Sequence, residues 1–263
     1  MIDTHLHLDD EKLADRVDEI YNAFAEHGIE FVINNSCDMS TMINGVDLAN
    51  RYDKIFATIG THPHESKHFN QEFVATMEQL ATNPKVVAVG EVGLDYYYDL
   101  SDRATQRDVF AQQIEIADKL QLPLTLHIRD AYGDAWDILR AQNKYLNNGV
   151  LWHCYSGSAE FARQAVRSGH YFAFGGAITF KNAKKDDVFA QIPLDRVLSE
   201  TDSPYMSPEP FRGKVNTPLN IPIVVTKIAS FYGISVGEVE AQIRANTLKL
   251  FPKIGKYLQN HVS

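Results

Sequence analysis

The chain has 263 residues, of which 44% are hydrophobic and 22% are charged, as is usual for a globular protein and unlike a disordered one. The formal net charge of −9 argues against a protein that coats duplex DNA, because such binding depends on neutralising phosphates. It does not exclude a nuclease that holds a few nucleotides through metal ions and one or two arginines.

The cysteine content and the N-terminus bear on the cellular compartment. Two cysteines, Cys37 and Cys154, cannot supply a disulfide framework, which fits a reducing compartment. The first residues show neither the basic nor the apolar region of a signal peptide, and no apolar run approaches the roughly 18 residues that span a bilayer. We therefore expect a cytoplasmic protein without membrane association, and we infer no obligate protein partner.

Apolar, β-branched runs alternate with helical patterns along the whole chain. The runs predict eight strands, in chain order Met1–Leu6, Glu30–Asn34, Ile55–Gly60, Val86–Gly90, Leu124–His127, Val150–His153, Tyr171–Gly175 and Val197–Glu200. Helices are predicted between and after them at Leu13–His27, Ser40–Arg51, Gln71–Ala81, Asp102–Leu120, Ala131–Gln142, Ala159–Ser168, Asp186–Gln191, Ile221–Tyr232 and Val236–Leu250.

Eight strands, each followed by a helix, predict an α/β protein with a (β/α)₈ TIM barrel in a single domain, residues 1–263. An open doubly wound sheet is the structural alternative, since the number of strands does not exclude it. The chain has no glycine-rich dinucleotide motif and no phosphate-binding loop. The proline-rich stretch Ser203–Pro222 is predicted to be one long ordered loop.

Histidines and carboxylates are concentrated where the predicted strands end. His5 and His7 close the first strand, and residues two apart on a strand share a face. Six of the ten histidines lie at such positions, and this end of the strands is where barrel active sites are built. One histidine there would usually be solvated, so the joint pattern is what indicates a site. The positions are His5, His7, His62, His64, Glu91, His127, His153 and Asp202.

Imidazole and carboxylate groups are suitable ligands for divalent ions, and one carboxylate can bridge two ions about 3.5–4 Å apart. The sequence therefore predicts a centre with two divalent ions, Zn²⁺, Mn²⁺ or Mg²⁺, that would activate a water molecule. Its predicted ligands are His5, His7, Glu91, His127, His153 and Asp202.

Seven ordered motifs give the chain a resemblance to a known family. It resembles the TatD family of metal-dependent deoxyribonucleases, within the wider amidohydrolase-like group, from Met1 to about Phe251. The motifs are His5-Leu6-His7, Gly60-Thr61-His62-Pro63-His64, Gly90-Glu91-Val92-Gly93-Leu94-Asp95-Tyr96-Tyr97, His127-Ile128-Arg129, Gly149 to Gly157, Glu200-Thr201-Asp202-Ser203-Pro204-Tyr205 and Arg212-Gly213-Lys214-Val215-Asn216.

The resemblance implies both an activity and an assignment of ligands. Family members hydrolyse phosphodiester bonds, typically of DNA and often from the 3′ end, so we expect a 3′–5′ exonuclease acting on single-stranded DNA or 3′ ends. One ion would be held by His5, His7 and Asp202 together with Glu91. The other would be held by Glu91, His127 and His153.

Three residues are predicted to be catalytic. Asp202 is expected to bind metal and to accept the proton of the attacking water. Glu91 is expected to bridge the ions. His62 is expected to hydrogen-bond a phosphate oxygen or to protonate the leaving group, although His62 or His64 could instead only support its loop.

Four residues are predicted to bind substrate. Arg129 and Arg212 could form forked contacts with a phosphate, with a surface salt bridge as the alternative for each. His64 is also predicted to bind substrate. Tyr96, with its neighbours Tyr97 and Tyr98, could stack on a base, although at least one of these rings is expected to pack against the protein instead.

Two other functions stay open from the sequence. A metal-activated water attacks a carbonyl as readily as a phosphate, so an amide or ester hydrolase, such as a D-aminoacyl-tRNA deacylase, is the first alternative. A non-catalytic scaffold is the remote one. The sequence leaves open the metal, the choice among DNA, RNA and a small molecule, the cleavage polarity, the oligomeric state and the pathway.

Overall fold

The structure, a computed structural model, describes residues 1–261, so the predicted domain of residues 1–263 extends two residues beyond the described part. Its strands are β1 Ile2–Leu6, β2 Phe31–Asn34, β3 Ile55–Ile59, β4 Val86–Asp95, β5 Leu124–Arg129, β6 Val150–Trp152, β7 Tyr171–Phe174 and β8 Val197–Ser199. Its helices are α1 Val17–Asn22, α2 Met39–Arg51, α3 Gln71–Leu80, α4 Arg103–Leu120, α5 Tyr132–Ala141, α6 Ala159–Arg167, α7 Asp186–Phe189, α8 Ile221–Tyr232, α9 Val236–Leu250 and α10 Pro252–His261.

The eight strands form one sheet in chain order, from β1 to β8, and the pairs β1–β2, β3–β4, β4–β5, β5–β6 and β7–β8 are parallel. The first and last strands also meet. Leu6 forms a parallel bridge with Ser203, and the Ser199 hydroxyl donates a hydrogen bond to the Ile2 carbonyl (2.7 Å). An open doubly wound sheet would leave its outer strands apart. The fold is therefore the predicted (β/α)₈ TIM barrel.

Residue contacts divide the chain into two compact units. The first comprises Met1–Asn34 with Cys154–Lys249 and contains β1, β2, β7 and β8. The second comprises Asn35–His153 with the chain from Leu250 onward and contains β3 to β6 and α10. Each has its own buried aromatic side chains, for example Phe172 and Phe174 in the first and Phe56, Phe110 and Trp152 in the second.

Strand β4 is longer than predicted, and this changes the setting of Glu91. The prediction ended the strand at Gly90, whereas it continues to Asp95, so Glu91 lies within the strand. The extension pairs Gly93 with His127, and a side chain at Gly93 would collide with the carbonyl oxygen of His127. Because only glycine permits this close approach, a residue that suggests a turn in the sequence here belongs to the strand.

One predicted helix needed correction, and one observed helix was not predicted. The predicted helix Leu13–His27 is a short α1 preceded by a 3₁₀ turn, Ala14–Arg16, and α1 has no side-chain N-cap. The sequence also gave no prediction for α10, which begins with Pro252 at its first position and buries Ile254. Proline is favoured at that position because its missing N–H would be unpaired there in any case.

Between residues 1 and 261, no single helix has the length and apolar composition needed to cross a membrane. The segments Pro218–Tyr232 and Val236–Leu250 satisfy the same criterion only as a pair, which bends by 104°.

Candidate metal centre

In the first unit, His5, His7 and Asp202 come together, and we call these three residues the aspartate cluster. Asp202 Oδ1 lies 3.7 Å from His7 Nε2 and 4.0 Å from His5 Nε2. The backbone fixes these distances, because Asp202 donates its N–H to the His5 carbonyl (2.9 Å) and His7 donates its N–H to the Ser203 carbonyl (2.7 Å). Asp202 has a φ of +56°, a left-handed conformation that aspartate tolerates better than most residues.

A buried carboxylate supports this cluster, and the sequence analysis did not identify it. Asp3 accepts the backbone N–H groups of His5 (3.2 Å) and Thr201 (2.9 Å) and thereby ties β1 to the segment that leads to Asp202. Burial, reinforced by the charge of Glu200, raises the pKa of Asp3 to about 8, although its hydrogen bonds act in the opposite direction. The only sequence signal was an aspartate within the first predicted strand.

Glu200 is a second buried carboxylate of the first unit. Its Oε1 accepts the backbone N–H of Cys154 at 2.7 Å, and its side chain is fully buried. Cys154 directly follows the predicted ligand His153 and has a φ of +45°. Glu200 therefore holds the backbone at Cys154, a role that its place in a sequence motif did not reveal.

In the second unit, one oxygen atom of Glu91 faces three imidazole groups, and we call Glu91 with His62, His127 and His153 the glutamate cluster. Glu91 Oε1 lies 2.8 Å from His127 Nδ1, 3.5 Å from His153 Nε2 and 3.8 Å from His62 Nε2. The Glu91 residue is only 3% exposed. A buried carboxylate is costly unless it is paired or coordinates a metal, so the surrounding nitrogens fit a cation site.

Backbone hydrogen bonds set the positions of these side chains. Glu91 donates its N–H to the Ser36 carbonyl (2.9 Å), His153 donates to the Leu126 carbonyl (3.1 Å), and His62 donates to the Cys37 carbonyl (2.8 Å). His127 lies in β5, opposite Gly93 of β4. The side chains that meet at Glu91 thus come from the carboxyl ends of consecutive strands, as the sequence analysis expected.

Asp95 is a further buried carboxylate of the second unit, to which the sequence analysis gave no role. Its Oδ2 lies 3.1 Å from His127 Nε2 and 2.9 Å from His64 Nε2. Burial alone would raise the pKa of Asp95, but hydrogen bonds from His127, the Tyr98 N–H and His64 outweigh it and hold this pKa well below its usual range.

The same contacts act on His127. Its burial acts to lower its pKa, but hydrogen bonds to Asp95 and Glu91 outweigh that effect and raise it. The ring is held with Nδ1 toward Glu91 and Nε2 toward Asp95. A carboxylate behind an imidazole is the usual support of a metal-binding histidine. It fixes the orientation of the ring and makes the nitrogen that faces the metal more basic and so a stronger ligand.

His62 and His64 differ in their surroundings. His62 offers a ligand atom that lies, with those of Glu91 and His127, within a span of 4.8 Å. Its geometry therefore suits metal binding, whereas the predicted ligand set did not include it. His64 instead contacts Asp95, the carboxylate behind His127. Its ring centroid lies 4.3 Å from that of His62.

A comparison with protein families now identifies the group to which these clusters belong, since a family model described as TatD related DNase matches residues 2–252. The chain belongs to the TatD family of metal-dependent hydrolases. The resemblance inferred from the motifs is thereby confirmed.

Relatives and solved structures agree with this assignment. An uncharacterized metal-dependent hydrolase of Bacillus subtilis, YabD, is 37% identical over 95% of this chain and 98% of its own length. A protein of Cronobacter turicensis named 3′-5′ ssDNA/RNA exonuclease TatD is 30% identical over 96% of this chain and 98% of its own. The crystal structure of a TatD homologue from Escherichia coli K12 superposes with a TM-score of 0.90 at 28% identity, covering 96% and 98% of the two chains.

The donor atoms of the two clusters suit a metal-dependent hydrolase. The aspartate cluster offers two imidazoles and one carboxylate, and the glutamate cluster offers three imidazoles and one carboxylate. Neutral imidazole with carboxylate suits Zn²⁺ and Mn²⁺, and no thiolate is needed. The residues present therefore fit divalent ions.

The predicted substrate-binding residues of this TatD-family chain lie in three different settings. Arg129 rests over the rings of Tyr97 (3.9 Å) and Tyr98 (4.9 Å). Arg212 rests over Phe180 (4.3 Å) in the first unit. Tyr96 is already engaged, because its hydroxyl donates to Asp134 (2.7 Å) and the guanidinium of Arg103 covers its ring (4.3 Å).

Proposed function

We propose that this TatD-family hydrolase is a deoxyribonuclease that hydrolyses phosphodiester bonds of single-stranded DNA, working from the 3′ end. The observation that supports this most is the buried oxygen of Glu91, which three imidazole nitrogens face at 2.8–3.8 Å. The family's description as DNases and the name of the Cronobacter relative favour nucleic acid as the substrate.

We propose that divalent ions occupy both clusters, with His5, His7 and Asp202 as ligands in one and Glu91, His127 and His153 in the other. When bound, the ions would polarise the phosphoryl group and lower the pKa of the attacking water. Asp95 would keep the His127 ring in its binding orientation from behind. The bridging role of Glu91 stays a prediction from the sequence.

The protein residues divide the proton transfers between them. The side chain of Asp202 is 15% exposed, so its carboxylate can reach solvent and can accept the proton of the attacking water. His62 lies beside Glu91 and can donate a hydrogen bond to a phosphate oxygen or a proton to the leaving oxygen.

Cleavage assays test the proposal. Purified protein, stripped of metal and reloaded with Mg²⁺, Mn²⁺ or Zn²⁺, would be given single-stranded DNA labelled at either end. We expect stepwise shortening from the 3′ end. The cleavage rate should be at least about 100-fold lower in Asp202→Asn and in Glu91→Gln. Asp99→Asn is the matched control, because Asp99 is an exposed carboxylate paired with Arg103.

Other substrates decide between this proposal and its alternatives. Duplex DNA, RNA, aminoacyl esters and simple amides would be compared by kcat/KM under the same conditions. A kcat/KM that is higher on an aminoacyl ester than on single-stranded DNA would indicate a carbonyl hydrolase instead of a nuclease. Cleavage of DNA that Asp202→Asn leaves unchanged would refute the proposed catalytic role.

A further inference from the structure

Two tyrosines beyond the end of β4 stand out by their exposure. Tyr97 is 58% exposed and Tyr98 is 53% exposed, and we call these two residues the tyrosine pair. Their ring centroids lie 4.8 Å apart at an interplanar angle of 88°. Aromatic rings left open to solvent give up the stabilisation that burial would bring, so their exposure indicates a surface that contacts something else.

Arg129 supports the tyrosine pair from the neighbouring strand. Its guanidinium lies 3.9 Å from the ring centroid of Tyr97 and 4.9 Å from that of Tyr98. Arg129 is the partner of Asp95 in the pairing of β4 with β5, so the strand register places the guanidinium there. A planar cation against aromatic rings presents π-faces together with a positive charge, a combination suited to a nucleotide.

The tyrosine pair is held in place before any ligand arrives. Asp95 Oδ1 accepts the backbone N–H groups of Tyr97 and Tyr98, each at 2.9 Å. The side-chain amide of Gln106 accepts the Asp95 N–H (2.8 Å) and donates to the Ser101 carbonyl (2.8 Å), which fixes both ends of the loop. A loop ordered in advance loses little entropy on binding.

The tyrosine pair also lies close to the glutamate cluster. The ring of Tyr98 is 5.5 Å from that of His64, measured between centroids. The carboxylate of Asp95 that holds the tyrosine backbone also receives His127, which in turn contacts Glu91. A nucleotide whose phosphate meets the glutamate cluster would thus have a stacking surface within reach of its base.

We propose that the tyrosine pair and Arg129 form a stacking site for an unpaired base next to the scissile phosphate, so that the enzyme selects single-stranded ends. This proposal rests on the proposed nuclease function and adds the residues that would stack on the unpaired base. A base inside a duplex has both faces covered by its neighbours and cannot use this surface. Tyr96 is excluded from it, because Asp134 and Arg103 already occupy that side chain.

The test measures binding separately from cleavage. Affinity for a fluorescent single-stranded phosphorothioate oligonucleotide, which resists hydrolysis, would be measured with Mn²⁺-loaded protein for the wild type, for the double variant Tyr97→Ala/Tyr98→Ala and for Tyr97→Phe/Tyr98→Phe. We expect the alanine variant to bind at least about 10-fold more weakly, and the phenylalanine variant to bind like the wild type, because stacking needs the ring and not the hydroxyl. Leu100→Ala is the matched control, since Leu100 is 54% exposed in the same loop but has no ring.

A second measurement uses the wild-type protein alone. An oligonucleotide whose terminal positions are abasic should bind at least about 10-fold more weakly than the intact strand. Equal binding of the two strands, unchanged affinity in the folded alanine variant, or a phenylalanine variant as weak as the alanine variant would each overturn the stacking site. Binding of this kind without cleavage would refute the nuclease and leave the stacking site standing, whereas cleavage with no effect of the tyrosines would do the reverse.

Discussion

At the scale of single residues, the candidate centre depends on carboxylates in two layers. Glu91 faces the imidazoles directly, whereas Asp95 lies behind His127 and contacts it through the opposite ring nitrogen. The same division holds in the first unit, where Asp202 faces His5 and His7 while Asp3 accepts the backbone N–H of His5. The inner layer presents candidate ligand atoms, whereas the outer layer contacts the ring of His127 and the backbone of His5.

This arrangement predicts the effect of Asp95→Asn. Loss of the carboxylate behind His127 should weaken binding of Zn²⁺ or Mn²⁺ by about 10- to 100-fold, because the ring loses its anchor and its basicity. Titration calorimetry on the metal-free protein measures this change. Asp99→Asn, four residues further along the chain, should bind metal like the wild type. An equal affinity in Asp95→Asn would show that Asp95 does not position His127.

At the scale of secondary structure, α2 begins directly after the segment that holds His62. Asp38 is its N-cap and accepts the Thr41 N–H (2.8 Å), with Thr41 closing a capping box in return. Asp38→Ala should lower the free energy of unfolding by about 1 kcal/mol, measured by urea denaturation. Asp53→Ala, outside any helix, serves as the control, and equal stability of Asp38→Ala and the wild type would contradict the capping role.

Buried His170, the residue before β7, should make the free energy of unfolding depend on pH. Burial lowers the pKa of His170 from 6.5 to about 4. Between these values the unfolded chain takes up a proton that the folded chain does not, so stability falls as pH decreases from about 6.5 to 4 and this contribution levels off below. The shift corresponds to about 3 kcal/mol.

Urea denaturation of the wild type and of His170→Gln at several pH values isolates this contribution, because the other titrating groups are common to both proteins. The stability difference between the two should shift by about 3 kcal/mol in favour of the variant as pH falls from 7 to 4. A difference that does not change with pH would show that His170 takes up its proton equally in the folded and unfolded chains.

The strands could be predicted from the sequence because buried parallel strands are continuous apolar runs, and the positions of the clusters followed from the ends of those runs. The extension of β4 could not be predicted, since Gly90 and Gly93 suggest a turn until the pairing of Val92 and Gly93 with β5 is known. The role of Asp95 was hidden because its partners His64 and His127 lie 31 and 32 residues away.

The choice among the three consecutive tyrosines could not be made from the sequence either. The sequence predicted that Tyr96, Tyr97 and Tyr98 could stack and that at least one of them would pack against the protein. The structure exposes Tyr97 and Tyr98 and engages Tyr96 with Asp134. These residues follow the end of β4, where side chains no longer alternate between the two faces of the sheet. The conformation of the loop then sets the direction of each side chain. Only the hydrogen bonds from Tyr97 and Tyr98 to Asp95 fix that outcome.

At the scale of the whole molecule, a chain with a net charge of −9 would repel a polyanion, so the proposed action on DNA would depend on bound cations and on local contacts. Arg129, which lies over the tyrosine pair, would supply such a contact in the second unit. The divalent ions would supply the charge at the scissile bond. The whole account therefore depends on whether the clusters bind metal.

Metal stoichiometry of the chain tests this claim most directly. Protein stripped with a chelator would be titrated with Zn²⁺ and with Mn²⁺ by calorimetry, and the ions retained after desalting would be counted by elemental analysis. We predict two divalent ions per wild-type chain and fewer in Glu91→Gln, with Asp99→Asn retaining the wild-type number. A wild-type chain that binds no divalent ion, or a Glu91→Gln variant that binds the same number with the same affinity, would contradict the account.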